Sequence, residues 1–168
     1  MGYFFLPDEY LDSVTELTAE RLAALGIRAL LLDVDCTLKR YSETDVSPEV
    51  RAWLDALLAS GVRLCLLSNG RGKRIAAFAE RVNLPFVPMA MKPSPKGCLR
   101  AIAEQGFEST ATGMVGDQLF TDIWAGNRAG LRTFRVTPIH PEEEPWFARL
   151  KRPWEKIVLY LWGKRQKP

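Results

Sequence analysis

Ala29-Leu30-Leu31-Leu32-Asp33-Val34-Asp35-Cys36-Thr37-Leu38 is the stretch on which the reading of this chain turns. Four apolar residues without polar alternation describe a strand covered on both faces. Two carboxylates, two positions apart, follow at once. At the end of a buried strand they are costly to keep charged unless something binds them. A metal cation and a phosphoryl group both meet that need. A second apolar run ends in Gly116-Asp117, with Asp122 close behind. The pairing points to a magnesium-dependent phosphotransfer site.

Outward from this stretch the pattern alternates. Residues 10–26 read as one or two short helical segments, with Ser13-x-x-Glu16 as a capping box and Gly26 as a stop. Residues 28–33 are the first strand. Ser47-Pro48 opens a helix whose Val50, Trp53, Leu54, Leu57 and Leu58 form a 3.6-period stripe, and Gly61 closes it. Strands follow at 62–67, 84–87, 112–115 and 131–136, and helices at 71–82, 95–105 and 119–129. Strand–helix alternation implies right-handed crossovers and a parallel sheet between helix layers. In such sheets ligands bind beyond the carboxyl ends of the strands. There the sequence places Asp33, Ser68-Asn69-Gly70 and Gly116-Asp117.

The bulk numbers agree with a single domain. At 168 residues the chain can bury a full core, and 47% apolar with 26% charged residues is globular composition. No apolar segment reaches the roughly 18–20 residues of a membrane span. The N-terminal residues lack a basic region followed by an apolar one, so a cytoplasmic location is expected. Cys36, Cys65 and Cys98 form no CxxC pair, and His140 stands alone, so thiolate zinc and histidine metal sites are set aside. Residues 149–168 carry seven Lys/Arg and one Glu, whereas the other 148 residues are net −3. A basic tail on a mildly acidic body suits an anionic partner.

In chain order, Asp33-x-Asp35-x-Thr37, Ser68-Asn69, Lys92-Pro93 and Gly116-Asp117 with Asp122 resemble the four-motif signature of the haloacid dehalogenase superfamily. The resemblance covers roughly residues 28–136. The lead-in Leu6-Pro7-Asp8-Glu9-Tyr10 and the basic tail narrow it to the capless, subclass IIIA, YqeG-like phosphatases. It implies an α/β fold: a three-layer Rossmann-like domain with a central parallel sheet of about five strands and no cap domain. That domain would span 1–148, with 1–27 as helical lead-in and 149–168 as a basic amphipathic tail. Cys36 departs from the family pattern, which usually has Asn there, and this puts loop geometry and redox sensitivity in question.

The resemblance also implies roles. Asp33 is the expected nucleophile, forming an aspartyl-phosphate, and Asp35 the acid that protonates the leaving alcohol and then activates water. Mg²⁺ is expected on Asp33, Asp117 and the backbone carbonyl of Asp35, with Asp122 in support. Ser68, Asn69, Lys92 and Thr37 are the expected phosphate contacts. Lys96 competes with Lys92 for the third motif, but it falls in the first turn of a helix. Cys65 and Arg71 also have the C-x₅-R spacing of cysteine phosphatases, yet Cys65 lies mid-strand among leucines, where a thiolate is disfavoured.

The 34 residues between Asp33 and Ser68, and the 23 between Ser68 and Lys92, are too few for a cap. An open site suits phosphates on large or surface-bound molecules. Trp154, Ile157, Val158, Leu161 and Trp162 share one helical face, flanked by Arg149, Lys151, Arg152, Lys164, Arg165 and Lys167. This combination fits a helix lying on an anionic membrane face; the competing reading packs the helix on its own domain. YqeG-like proteins are similar to the mitochondrial phosphatidylglycerophosphate phosphatase, so the expected partner is a phosphorylated substrate, foremost a membrane lipid. Two rivals stand beside it: a phosphatase of nucleotides, nucleic-acid ends or phosphoproteins, and a non-catalytic interaction module.

Overall fold

The computed structural model describes residues 5–70 and 72–165. Six parallel strands form one sheet: β1 (Glu9–Leu11), β2 (Ala29–Leu32), β3 (Arg63–Leu67), β4 (Phe86–Val87), β5 (Thr112–Gly116) and β6 (Arg132–Val136), in the spatial order β1-β6-β5-β2-β3-β4. The chain runs outward from β2 through β3 to β4, and then from β5 through β6 in the opposite direction. The switch point is therefore between β2 and β5, where Leu32 lies beside Val115. Asp33 and Asp117 leave the sheet on the two sides of that crevice.

The uninterrupted leucines of β2 serve two layers because successive side chains face opposite ways. Leu30 and Leu32 join Trp53, Leu54 and Leu57 of α2 (Pro48–Ala59) and Phe78, Ala79 and Val82 of α3 (Gly72–Val82). Leu31 joins Cys98, Ala101 and Ile102 of α4 (Lys96–Gln105) and Ala125 of α5 (Trp124–Arg128). Each fully buried leucine contributes about 1.5–3 kcal/mol. Ser47 caps α2 through the Val50 N–H, as the Ser-Pro pair predicts. Leu58 is the one member of the predicted stripe turned outward, at 41% exposure.

The lead-in differs from expectation. The capping box at Ser13 and Glu16 is present, but it opens a 3₁₀ turn (Val14–Glu16) ahead of α1 (Ala19–Ala24). Before it, Glu9–Leu11 adds a sixth strand to the edge of the sheet, in parallel register with Phe134–Val136. Three residues are too short to show a strand period, and this one is fixed by pairing with β6 and by Glu9 ion pairs to Arg21 and Arg132, both at 2.8 Å. The segment expected as one helix over 119–129 begins with a π-helical turn, Leu119–Ile123, before α5.

The C-terminal segment forms α6 (Trp146–Arg149) and α7 (Arg152–Arg165). Glu155 of α7 is buried and accepts the Phe120 N–H at 3.2 Å, so the segment expected as a tail from residue 149 touches the preceding residues. Trp154, Ile157 and Leu161 face outward, so α7 packs on the domain by the side that carries Glu155 and shows these three residues of the predicted stripe on another, while Val158 is half-buried. Tyr3, Phe4, Arg71 and Lys167 lie outside the described residues, as do the side chains of Trp162, Lys164 and Arg165.

Candidate active site

The turn after β2 builds the first half of the site. The Asp33 N–H donates to Val115 O at 2.9 Å, which holds its carboxylate over the switch point. The chain then doubles back, with Leu38 N–H donating to Val34 O at 2.9 Å and Cys36 N–H to Lys39 O at 2.8 Å. Cys36 sits there with φ +61°, the left-handed region that asparagine tolerates best after glycine. This accounts for the asparagine usual in that position. The buried Cys36 thiol is held in its neutral form by burial and by the charge of Asp117, which argues against a redox role.

Three carboxylates converge. Oxygens of Asp33, Asp117 and Asp122 lie within 4.8 Å of one another, and all three residues are buried. Lys92 enters from the loop before α4, and its Nζ donates to Asp33 Oδ1 at 2.6 Å, Asp122 Oδ1 at 2.7 Å and Leu67 O at 2.9 Å. These three bonds occupy all three ammonium protons. Burial alone would lower the Lys92 pKa, but Asp122 and Asp33 raise it, so it stays charged. The Thr37 hydroxyl stands between Asp33 Oδ2 at 3.0 Å and Asp117 Oδ1 at 3.1 Å.

A hydroxyl has one proton and here faces two carboxylate oxygens, so one of these contacts lacks a hydrogen atom unless a further proton or a cation lies near. Burial, then Asp122, drives the Asp33 carboxyl well above the ordinary range despite Lys92. Burial first, with Asp122 and Glu144 adding to it, lifts Asp117 to about 7 although Arg152 opposes the rise. A compact, all-oxygen donor set with excess negative charge suits a hard divalent cation such as Mg²⁺.

Asp122 is placed by the π-helical turn. Its Oδ2 accepts the Gln118 N–H at 3.0 Å while Oδ1 meets Lys92. Gly116 makes room for it: a Cβ there would overlap the Asp122 side chain, with Oδ2 only 2.6 Å away. A Gly116→Ala variant is expected to lose about 1–3 kcal/mol of stability in urea unfolding. It is also expected to lose more activity than that destabilisation explains, because Asp122 must leave Lys92.

The second motif is divided between two tasks. Ser68 is buried with Oγ accepting the Gly70 N–H at 3.0 Å, and it lines the pocket. The Asn69 side chain, expected on phosphate, is committed elsewhere. Its Nδ2 donates to Lys92 O at 3.0 Å and its Oδ1 accepts the Lys92 N–H at 2.8 Å. Asn69 therefore holds the backbone of Lys92 in place. Lys96 heads α4 and has no place among the lining residues.

Asp35 faces the same pocket, held by two cations the sequence did not single out. Lys39 donates at 3.0 Å and Arg74 at 2.9 Å to its Oδ1, and Arg74 also pairs with Oδ2. Burial raises the Asp35 carboxyl, but these partners outweigh it and leave it below its ordinary value. Arg74 is half exposed and stacks over Tyr41, 5.2 Å from the ring centroid. Glu144, Pro145 and Lys151 complete the wall of the open pocket. Arg152 reaches Asp117 Oδ2 at 2.5 Å, a contact invisible in a run of basic residues.

Cys65 is buried in β3, and burial first of all pushes its thiol up to about 12. A thiolate mechanism has no footing there. The model of the haloacid dehalogenase-like hydrolases matches residues 8–130. The probable phosphatase YqeG of Bacillus subtilis (strain 168) is 30% identical over 156 residues, 93% of this chain and 90% of that protein. The chloroplastic phosphatidylglycerophosphate phosphatase 1 of Chlamydomonas reinhardtii is 30% identical over 166 residues, covering 94% of this chain and 62% of that protein. Among solved structures, NagD from E. coli K-12 shares the fold with a TM-score of 0.56 at 16% identity, over 71% of this chain and 93% of that one. With its switch-point carboxylates, a family match over most of its length and a relative matched across nine-tenths of both chains, this chain belongs to the haloacid dehalogenase-like hydrolases, among the YqeG-like proteins, and is a phosphatase rather than a non-catalytic module.

Proposed function

We propose that the protein is a Mg²⁺-dependent phosphomonoesterase that works through an aspartyl-phosphate on Asp33, and that its substrate is a lipid phosphate of the phosphatidylglycerophosphate type. The observation that carries the reaction is the meeting of Asp33, Asp117 and Asp122 within 4.8 Å of one another, with Lys92 paired to Asp33 and Asp122, beside an open pocket that Asp33, Lys92 and Asp122 line. Mg²⁺ would be held by the carboxylates of Asp33 and Asp117 and by the Asp35 carbonyl, with Asp122 in support. Bound there, it supplies charge neutralisation for the transferring phosphoryl oxygens.

The chain's own groups do the rest. An Asp33 oxygen attacks phosphorus as the bond to the alcohol oxygen breaks, and the electron pair leaves with that oxygen. Asp35 gives the alcohol its proton. It then takes one from water as the water attacks the acyl phosphate, which frees inorganic phosphate and restores Asp33. Ser68, which lines the pocket, donates its hydroxyl proton to a phosphoryl oxygen. Lys92 balances charge, and it turns to the phosphoryl group only as its bond to Asp33 yields. Thr37 orients Asp33 and Asp117 toward each other. Asp35 must shed Arg74 before it can carry a proton, and an incoming anionic substrate offers the exposed guanidinium another partner.

The lipid assignment rests on two supports. Relatives from Chlamydomonas reinhardtii and Arabidopsis thaliana are named as phosphatidylglycerophosphate phosphatases; the chain spans 62% and 48% of their lengths. Leu150, Trp154, Ile157 and Leu161, at i, i+4, i+7 and i+11, stand 62%, 65%, 49% and 55% exposed along one line of the C-terminal segment. Arg149, Lys151 and Lys156 are exposed beside them. Apolar and cationic groups in this order fit peripheral docking on an anionic leaflet. No helix among the described residues is long and apolar enough to cross a membrane.

Phosphate release from phosphatidylglycerophosphate in anionic mixed micelles with Mg²⁺ tests the substrate. Turnover of soluble phosphoesters with none of the lipid would defeat it and turn attention to nucleotides, nucleic-acid ends and phosphoproteins. The docking surface has its own check in vesicle sedimentation. Leu150→Glu with Trp154→Glu is expected to weaken binding to anionic vesicles at least about tenfold, given the loss of two exposed apolar side chains that would enter the leaflet. Hydrolysis of a soluble phosphoester should be unaltered.

A further inference from the structure

Arg152 comes from the basic segment that reads as an outer surface, yet its side chain is only 12% exposed. Its Nη2 donates to Asp117 Oδ2 at 2.5 Å and to Glu144 Oε2 at 2.8 Å, and its Nε to the same Glu144 oxygen at 2.9 Å. Glu155, almost one turn further along α7, lies 3.6 Å from Nη1 and accepts the Phe120 N–H. Phe120 belongs to the π-helical turn that carries Asp122. Through these two residues α7 grips both carboxylate-bearing elements that follow β5.

The charges here are complementary. Asp33, Asp117, Asp122, Glu144 and Glu155 are five buried carboxylates. Lys92 and Arg135 are buried cations beside them and the Arg152 side chain is only slightly exposed, Arg135 acting on Glu155 from the end of β6. Without Arg152, Asp117, Glu144 and Glu155 would face one another with one fewer cation between them. Arg152 also takes Oδ2 of Asp117, so that Oδ1 is the oxygen turned to Thr37.

We propose that Arg152 is a positioning residue for Asp117, and that through it the seating of α7 and the occupancy of the metal site favour each other. This rests on the metal-dependent reading above. Hydrogen-bonding partners behind ligating carboxylates typically carry 10–100-fold in metal affinity. Coupling of two binding equilibria is reciprocal, so a bound cation must hold α7 more firmly as well.

The test is Mn²⁺ binding by electron paramagnetic resonance to the full chain without substrate, in wild type, Arg152→Met and Arg152→Lys. Hydrogen exchange of residues 152–161 is followed with and without Mn²⁺. Arg152→Met is expected to bind about 10–100-fold more weakly, and Arg152→Lys, which keeps the charge but not the fork, to recover some of the loss. Mn²⁺ should slow exchange in α7 of the wild type and not of the Met variant. Unchanged or tighter Mn²⁺ binding in an Arg152→Met protein of wild-type circular dichroism overturns the proposal. If that variant does not fold, unchanged affinity in Arg152→Lys overturns it, and an intermediate loss supports it. A wild type that binds no Mn²⁺ sinks the metal-dependent reading itself, an outcome seen before any variant is compared.

Discussion

Replacing Asp33 by asparagine is expected to lower phosphate release by at least about 10⁴-fold, and at the same time to raise the melting temperature of the metal-free protein above pH 7. Both effects have one cause. Asp33 is the atom source for the acyl phosphate in the proposed reaction, and an amide oxygen is a poor nucleophile. In the fold, however, its charge is disfavoured by burial, then by Asp122, with Asp117 adding to the rise and Lys92 compensating incompletely. An isosteric neutral side chain removes that repulsion, while Lys92 keeps its bonds to Asp122 and Leu67. Steady-state phosphate release and calorimetry in EDTA check the two arms. Residual turnover within tenfold of wild type would remove Asp33 from the role of nucleophile, whatever the calorimetry gives.

The second large effect concerns pH. In the unfolded chain the Asp117 carboxyl loses its proton near 3.8, and in the fold only near 7. Between these values the folded state holds more protons than the unfolded one, so stability falls as pH rises. The contribution is fully present below about pH 4 and lost as pH passes 7. It is on the order of 4 kcal/mol over the whole range, or roughly 8–16 °C in melting temperature for a domain of this size. Asp33 is displaced in the same direction. Asp35 is displaced the other way, so its contribution is lost only below its ordinary value and does not enter this range. Melting in EDTA should therefore be lower at pH 8 than at pH 5.5. Added Mg²⁺, which replaces protons on the same oxygens, should stabilise more at pH 8 than at pH 5.5. A melting temperature that is flat or rising across this range in EDTA would contradict the geometry of the cluster.

Much of this was legible in the chain because buried parallel strands are apolar on both faces, so the first polar residue after each run marks the rim of the sheet. Asp33, Ser68 and Asp117 follow such runs, and the structure brings all three to one crevice. Lys92 could be found through its motif, since a lone lysine beside proline has no periodicity to betray it. Other features left no local trace. Three residues of β1 owe their strand to a partner 125 positions away, with Glu9 beside Phe134. Arg152 looks like each of its basic neighbours, and only Glu155, an acid inside an otherwise cationic segment, hints that one side of α7 turns inward. Arg74 and Lys39 likewise belong to Asp35 through folding alone. The Asn69 side chain has the chemistry to touch a phosphate, and the structure uses it to hold a backbone.

That last arrangement bears on how the protein ages. Asparagine before glycine is the pair most prone to deamidation, because the glycine nitrogen can close on the side-chain carbonyl. Here both ends of the Asn69 amide are bound to Lys92, and the Gly70 N–H is bound to Ser68. The folded enzyme is thereby protected at this bond, and the unfolded chain is not. Each stay in the unfolded state exposes Asn69 to conversion into an acid that cannot donate to the Lys92 carbonyl and adds negative charge to a crowded rim. Heat inactivation should thus become irreversible in proportion to the time spent unfolded, with a chemical scar at a single, identifiable bond.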